Sequence, residues 1–229
     1  MIVDSHTHIG RNQSHYSPGN LNITRGDLLQ SMDRAGIFQS VVFPIPVRSH
    51  LLPEANQECT TSYRFIPFAM VDPISDGKYY GDPYRGLKLH PRAHGYSLEF
   101  DTVWNVMNEA KEMGFPVVIH SGWGQGMREL EELARRCRGV NIIVAHMVEP
   151  DCLDVVGRNM NMYIDTSYSP HPRRVEQAVS ICGEDKVLLG SDYPWGNQEL
   201  EVMKVDMARI SSTTKDKILG QNIMRLIND

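Results

Sequence analysis

The sequence is poor in cysteine and lacks any paired-cysteine motif. Its four cysteines, Cys59, Cys137, Cys152 and Cys182, are far apart and never form a Cys-x-x-Cys pair. A zinc ribbon or a secreted disulfide framework would require closer and more regular spacing. We therefore expect free, mostly buried thiols in a protein of the reducing cytoplasm.

The sequence also lacks the features of proteins that bind nucleic acids or membranes. The net charge of the 229 residues is −5, and the lysines and arginines are scattered rather than clustered. No apolar run approaches the roughly 20 residues of a transmembrane helix. No basic stretch followed by a long apolar core marks a secretory signal. These absences exclude nucleic-acid and membrane partners and leave a small-molecule substrate, with a homodimer as a common further state of soluble enzymes.

What the sequence does contain is an alternation of short apolar segments with segments of helical periodicity. The apolar segments cover residues 2–5, 40–44, 65–71, 86–90, 116–120, 141–146, 162–166 and 187–191. Several, such as "PVVIH" and "NIIVAH", are almost entirely apolar, which is typical of strands buried on both faces of a parallel sheet. The pattern predicts a compact (β/α)8 TIM barrel in a single domain spanning residues 1–229. An open, doubly wound sheet is the alternative, although no strand is followed by a glycine-rich phosphate loop.

The helical segments carry recognisable start and stop signals. Thr24 precedes one apolar stripe and has Asp27 three residues later, as in a capping box. Gly36 stands where a helix should end, and Thr213 or Thr214 resembles the cap of the last helix. Two connections are too short or too rich in glycine and proline for a full helix, residues 74–84 and 149–159. The barrel is therefore expected to have trimmed helices.

Polar side chains collect where the predicted strands end. They are His6, His8, Lys88, His90, His120, His146, Asp165 and Asp192. Because the carboxyl ends of barrel strands meet at one mouth, these side chains should lie close together. His6 and His8 project from the same face of their strand. With His120 and Asp192 they could surround one divalent ion, and this ligand set suits Zn²⁺, with Fe²⁺, Mn²⁺ or Co²⁺ as substitutes.

The order of these motifs resembles that of a known superfamily. "VDSHTHIG", "GLKLHP", "PVVIHSGWG", "VAHM" and "VLLGSDYPW" are similar to motifs of the amidohydrolase superfamily, in the branch of TIM-barrel metal-dependent hydrolases that includes aminocarboxymuconate-semialdehyde decarboxylase. The resemblance spans almost the whole chain. It implies that His6, His8, His120 and Asp192 hold one metal ion. It also implies that His146 stands beside the metal as a catalytic or substrate-polarising base.

Lys88 is the position that the sequence leaves open. In binuclear relatives a lysine on this strand is carboxylated and bridges two metals, whereas a single metal site favours an uncarboxylated Lys88 that binds an anionic substrate near His90. Pairing of Lys88 with a barrel carboxylate is a third reading. Arg92, Trp123 and Trp195 follow strand ends and are further candidates for substrate contact. Asp165 is expected to be a buried structural carboxylate.

Three functions are compatible with this ligand set. In the first, a metal-activated water attacks the carbonyl of a small ester, lactone or amide, and Asp192 transfers the water's proton to the leaving group. In the second, the same metal site removes CO₂ from a small carboxylic acid without oxidation. In the third, the barrel binds metal without turnover. The absence of a long insertion that could form a lid favours hydrolysis.

Overall fold

The computed structural model describes residues 1–11, 21–75, 81–122 and 126–228. Its strands are β1 (Val3–Arg11), β2 (Asn22–Ile23), β3 (Gln39–Pro44), β4 (Phe65–Pro67), β5 (Ala69–Val71), β6 (Leu87–Leu89), β7 (Val117–His120), β8 (Ile142–Ala145), β9 (Met162–Asp165) and β10 (Val187–Leu188). Its α-helices are α1 (Arg25–Ala35), α2 (Leu52–Glu58), α3 (Pro91–His94), α4 (Asp101–Met113), α5 (Met127–Arg136), α6 (Cys152–Arg158), α7 (Pro172–Cys182), α8 (Gln198–Met207), α9 (Ser212–Asp216) and α10 (Asn222–Asn228). A π-helical segment, Lys217–Gln221, joins the last two helices.

The strands close into a barrel. The orders β2-β1-β3-β4 and β5-β6-β7-β8-β9-β10 are parallel throughout, except that β2 forms an antiparallel pair with β1. Phe68 joins the two groups, because its N–H donates to Val42 O at 3.0 Å and the next N–H, of Ala69, donates to Gly86 O. On the opposite side the Ser5 N–H donates to Leu189 O at 2.8 Å. With β4 and β5 counted as halves of one strand, the barrel has eight strands. This confirms the predicted TIM barrel and excludes the open sheet.

The structure confirms most of the predicted helix signals. Thr24 and Asp27 form both hydrogen bonds of a capping box at α1, and Gly36 ends that helix in the left-handed conformation at φ 67°. The prediction of a cap at Thr213 or Thr214 was wrong, because the hydroxyl of Ser211 accepts the N–H of Thr214 at the start of α9. The short α6 confirms one trimmed connection. Between β5 and β6 the described residues, 72–75 and 81–86, contain no helix.

Two apolar layers alternate along the strands. Residues that face the barrel interior form one cluster with α10 residues, namely Val3, Val41, Phe43, Ile66, Phe68, Val118, Ile143, Ala145, Leu188, Ile223 and Leu226. Their neighbours in sequence pack outward against the helices. Because strand side chains alternate, Lys88 and His120 share the interior face with Val118 and Ile143. The interior is therefore apolar at the amino end and polar at the carboxyl end.

The four cysteines are free and buried, as expected from their spacing. Among the described helices, none is both long and apolar enough to cross a bilayer.

Candidate active site

Two of the predicted site residues occupy unusual backbone conformations at strand ends. His146 directly follows β8 with φ 77°, and Asp192 lies four residues beyond β10 with φ 56°. Non-glycine residues rarely adopt this left-handed region, and such strain concentrates at functional sites. The backbone at both positions turns sharply and holds the side chain at the barrel mouth.

His6, His8 and Asp192 form a compact trio. The Nε2 atoms of His6 and His8 lie 3.1 Å and 3.2 Å from Asp192 Oδ1. His6 Nδ1 donates to Asp165 Oδ2 at 2.6 Å, and His8 Nδ1 donates to Pro44 O at 2.9 Å. Because both Nδ1 atoms carry the hydrogen, both Nε2 lone pairs face the carboxylate. Acceptor atoms this close together require a cation or a proton between them. In metal-binding histidines, a hydrogen bond from the other ring nitrogen, like these two Nδ1 bonds, orients the ring. The donor set therefore fits a divalent metal ion.

Charges around the trio move its pKa values in different directions. Burial and Lys88 would lower the pKa of His6, but Asp165 and Asp192 together raise it above its ordinary value. Burial lowers the pKa of His8 to about 4, although Asp192 opposes this shift. Burial would raise the pKa of Asp192, but His146 and His6 hold it well below its usual range. A carboxylate that stays ionised in a buried site is a strong attractor for a cation.

Asp165 is fully buried and hydrogen-bonded, as expected for a structural carboxylate. Its Oδ1 accepts the N–H of His146 and both the N–H and the hydroxyl of Ser167, while Oδ2 accepts His6 Nδ1–H. Gly190 permits this close approach, since a Cβ there would lie 2.7 Å from the Asp165 Cβ. We call His6, His8, Asp165 and Asp192 the carboxylate corner.

Three further histidines and Ser167 form a second group, the imidazole corner of His90, His120, His146 and Ser167. His146 Nε2 lies 3.1 Å from His120 Nδ1, and His146 Nδ1 lies 2.7 Å from Ser167 Oγ. His90 stacks on His120 with ring centroids 3.9 Å apart. Burial lowers the pKa of all three imidazoles, that of His146 to about 3. This corner is a neutral hydrogen-bonding network.

The two corners meet where His146 stacks on His6 with centroids 5.0 Å apart. Potential ligand atoms lie within 4.8 Å of one another in two groups, one of His6, His8 and Asp192 and one of His6, His146 and Asp165. His120 lies instead against His146 and His90. Its role as the fourth ligand, and the roles assigned to Asp192 and His146 in catalysis, stay predictions.

Lys88 provides a buried positive charge beside the trio. Its Nζ lies 3.3 Å from His6 Nε2 and 4.6 Å from the centroid of the Phe43 ring. Burial lowers the pKa of Lys88 to about 8, with Asp192 and Asp165 opposing the shift. The lysine therefore stays largely protonated at neutral pH.

The remaining predicted contact residues differ in position. Trp195 packs edge-on against His8 with centroids 5.0 Å apart and is 37% exposed. His90 is buried, and its Nδ1 accepts the Ala93 N–H at the start of α3. Arg92 lies exposed in α3. Trp123 lies outside the described residues.

Three site residues were missed by sequence reasoning. Tyr168, 39% exposed, packs edge-on against His146 with centroids 5.1 Å apart. Phe43 contacts the rings of His6 and His8. Ser167 stands two residues after Asp165, and strand alternation placed it on the same face, which was the available signal.

Comparison with known proteins gives the same picture. The Amidohydrolase family model matches residues 3–228. No curated protein matches the chain. Among solved structures, 5-carboxyvanillate decarboxylase from Sphingomonas paucimobilis has a TM-score of 0.79 at 13% identity, with 99% of this chain and 98% of that chain covered.

Two further structures have similar folds. Dihydroxybenzoic acid decarboxylase from Polaromonas sp., solved with bound manganese and an inhibitor, has a TM-score of 0.73 at 14% identity, covering 99% and 96% of the two chains. A putative 2-pyrone-4,6-dicarboxylic acid hydrolase from Pseudomonas putida has a TM-score of 0.74 at 15% identity, covering 99% and 97%. At these identities the likeness concerns the fold. The match over nearly the whole length, on a TIM barrel with a His-x-His strand and Asp192 at its mouth, shows that the chain belongs to the amidohydrolase family.

Proposed function

We propose that this protein is a metal-dependent enzyme that releases CO₂ from a small carboxylic acid without oxidation. The observation that carries this proposal is Lys88. It is a fully buried cation beside the ligand trio, and among the described residues no carboxylate oxygen lies within ion-pair distance of its Nζ. Asp192 and Asp165 act on this charge from beyond ion-pair distance, and a buried charge is best compensated by a partner in direct contact. A substrate carboxylate at the metal site would supply this contact.

The metal would be held by His6, His8 and Asp192, with His120 as the predicted fourth ligand. When bound, a divalent ion supplies positive charge that binds an anionic substrate and stabilises negative charge as it develops. Imidazole and carboxylate donors accept zinc, manganese, iron or cobalt, so the donor set alone does not select zinc.

The protein's own residues would then perform three tasks. Lys88 Nζ holds the carboxylate. The buried side chains around Lys88 exclude water from that carboxylate, which favours its conversion into neutral CO₂. Asp192 directs Oδ1 toward the histidines, so its Oδ2 would relay a proton from solvent to the carbon; because its pKa is low, it would hold that proton only in transit. The carbon–carboxyl bond breaks, its electron pair stays on the carbon, the proton binds there, and CO₂ leaves.

Exposed aromatic surfaces favour a planar, conjugated acid. Trp195 packs against His8, and Tyr168 packs against His146. Each residue is more than one third exposed, and aromatic faces prefer flat, conjugated partners. The two decarboxylases with similar folds are named for hydroxylated aromatic acids, which agrees with this choice.

Hydrolysis of a small lactone or ester is the second candidate. It has the support of the structural neighbour described as a putative hydrolase. In this reaction Asp192 Oδ2 would accept the proton of the attacking water. His146, however, uses both ring nitrogens for Ser167 and His120, so it directs no N–H at a substrate carbonyl in this arrangement. This geometry favours decarboxylation.

A substrate panel on metal-analysed protein distinguishes the two reactions. Hydroxybenzoates and muconate-like acids are assayed for CO₂ release, and lactones and esters for acid release. The proposal predicts one CO₂ per turnover and, in D₂O, one deuterium on the carbon that lost it. Lys88→Met should raise KM for the acid more than Lys88→Arg does. Acid release without CO₂ would overturn the proposal.

A further inference from the structure

A buried carboxylate begins a chain of hydrogen bonds that crosses the site. Asp165 is fully buried, and its Oδ1 accepts the backbone N–H groups of His146 and Ser167. An oxygen that accepts two N–H groups carries no hydrogen of its own. A hydroxyl that contacts Asp165 Oδ1 must therefore direct its hydrogen toward it.

Ser167 has one hydroxyl hydrogen, and this contact determines where it goes. Ser167 Oγ lies 2.5 Å from Asp165 Oδ1, so the hydroxyl donates to the carboxylate. Its oxygen can then only accept from His146 Nδ1, 2.7 Å away. If the hydroxyl instead donated to His146, two oxygen lone pairs would face each other at 2.5 Å.

The same reasoning extends to the next ring. With its hydrogen on Nδ1, neutral His146 presents a lone pair at Nε2. His120 Nδ1, 3.1 Å away, must donate to it. The lone pair of His120 is thereby placed on Nε2, the nitrogen that is not used by His146.

We propose that Ser167 is a positioning residue. Its hydrogen bond to Asp165 fixes the ring hydrogen of His146 on Nδ1 and, through His146, that of His120 on Nδ1, so that His120 presents Nε2 as a metal-binding nitrogen. Asp165 also orients His6 directly through His6 Nδ1. One carboxylate thus sets the tautomers of ligands on β1 and β7, one by direct contact and one through a hydroxyl and an imidazole. The consequence for metal binding rests on the proposed function, because it takes His120 as a ligand; the direction of the hydrogen bonds does not.

The direct test is the position of the ring hydrogens in metal-free protein labelled with ¹⁵N-histidine. Two-bond ¹H–¹⁵N correlation spectra near pH 7.5 identify the protonated nitrogen, and His120→Asn and His146→Asn variants assign the signals. Both rings should carry hydrogen on Nδ1. Hydrogen on Nε2 of His120 in the wild-type protein would overturn the proposal before any Ser167 variant is made.

Variants then identify Ser167 as the source of this polarity. Ser167→Ala should abolish the single tautomer in both rings and weaken metal affinity by about 10–100-fold. Ser167→Thr, which keeps a hydroxyl, should restore the wild-type pattern. The matched control is Ser121→Ala, because Ser121 is equally buried beside His120 but its hydroxyl donates to Ala145 O at 2.6 Å. Unchanged tautomers in Ser167→Ala would contradict the proposal.

The outcomes separate this inference from the proposed function. If Ser167→Ala alters both tautomers but leaves metal affinity unchanged, His120 is not a ligand and the proposal fails in that part. If the tautomers and affinity behave as expected but no carboxylic acid loses CO₂, the positioning role stands and the proposed reaction is wrong.

Discussion

His6 and His146 stack on each other across the barrel mouth and belong to corners with opposite electrostatics. Both side chains are fully buried, yet the pKa of His6 is raised and that of His146 is lowered to about 3. His6 lies between two carboxylates, Asp165 and Asp192, whereas the ring nitrogens of His146 contact a hydroxyl and another imidazole. The comparison shows that burial alone does not decide the charge of a histidine, because its immediate partners can reverse the effect.

This difference divides the work of the site. The carboxylate corner places two carboxylates beside two imidazole nitrogen donors, so it is suited to a cation. The imidazole corner is neutral and is suited to directing hydrogen bonds. Lys88 lies beside His6 and adds a positive charge at the boundary between the corners.

The largest expected effect comes from removing the shared carboxylate. Asp192→Ala leaves the Nε2 atoms of His6 and His8 without their anionic partner. We expect metal content after desalting to fall close to zero and turnover to fall by at least about 10³-fold. Elemental analysis and initial rates measure this. The control is Glu201→Gln, which alters a buried carboxyl that contacts Thr166 and Lys204 instead. This variant should keep the metal content of the wild-type protein. Full metal content in Asp192→Ala would remove the carboxylate corner from the metal site.

A smaller effect is expected in the imidazole corner. His146→Ala should keep metal at saturating concentrations and lower turnover by about 10²-fold, since His146 holds His120 and lies against His6. Rates at saturating metal and substrate test this. Turnover equal to that of the wild-type protein would show that His146 has no part in the reaction.

Asp165→Asn is expected to make His6 resemble His146. The neutral amide removes one of the two negative charges beside His6, so the pKa of His6 should fall. Metal affinity should weaken by about 10–100-fold. Histidine NMR titration and competition with a chelator measure the two effects.

The matched control for Asp165→Asn is Asp4→Asn. Asp4 is also fully buried and accepts hydrogen bonds from Ser191, Gln198 and the His6 backbone, but within the described part of the chain it forms no hydrogen bond with an imidazole ring. Its substitution should lower the free energy of unfolding by about 1–3 kcal/mol and leave metal affinity unchanged. Equal affinity losses in both variants would mean that the effect of Asp165 is on stability alone.

The pH dependence of metal binding should follow the carboxylate corner. Because the pKa of His6 is raised, a proton occupies His6 at a higher pH than in an ordinary histidine. Metal must displace it, so affinity should fall about tenfold per pH unit as the pH drops below that pKa. The imidazole corner, whose pKa values are lowered, should release no proton in this range. Calorimetry in buffers of different ionisation enthalpy counts the protons released. Affinity that does not change between pH 8 and 6 would contradict this expectation.

The barrel could be predicted because its strands are short, apolar and buried on both faces, and because polar residues follow them. The His-x-His spacing placed His6 and His8 on one face by strand alternation alone. The interruption of one barrel strand at Phe68, between β4 and β5, could not be predicted in this way. It depends on the ring of Phe68 filling the space above Gly86, where a Cβ would lie 2.3 Å from the ring.

By itself the sequence determined which residue types stand at the strand ends, and hence the barrel, its mouth and the candidate ligands. Only the tertiary structure decided how those residues are connected: that His6 lies between two carboxylates, that His120 contacts His146, and that Ser167 links both to Asp165. The physical reason is how far along the chain each property depends on other residues. Strand alternation is a local property of the backbone, whereas the charge and tautomer of a buried histidine depend on partners that lie 21 to 186 positions away in the chain.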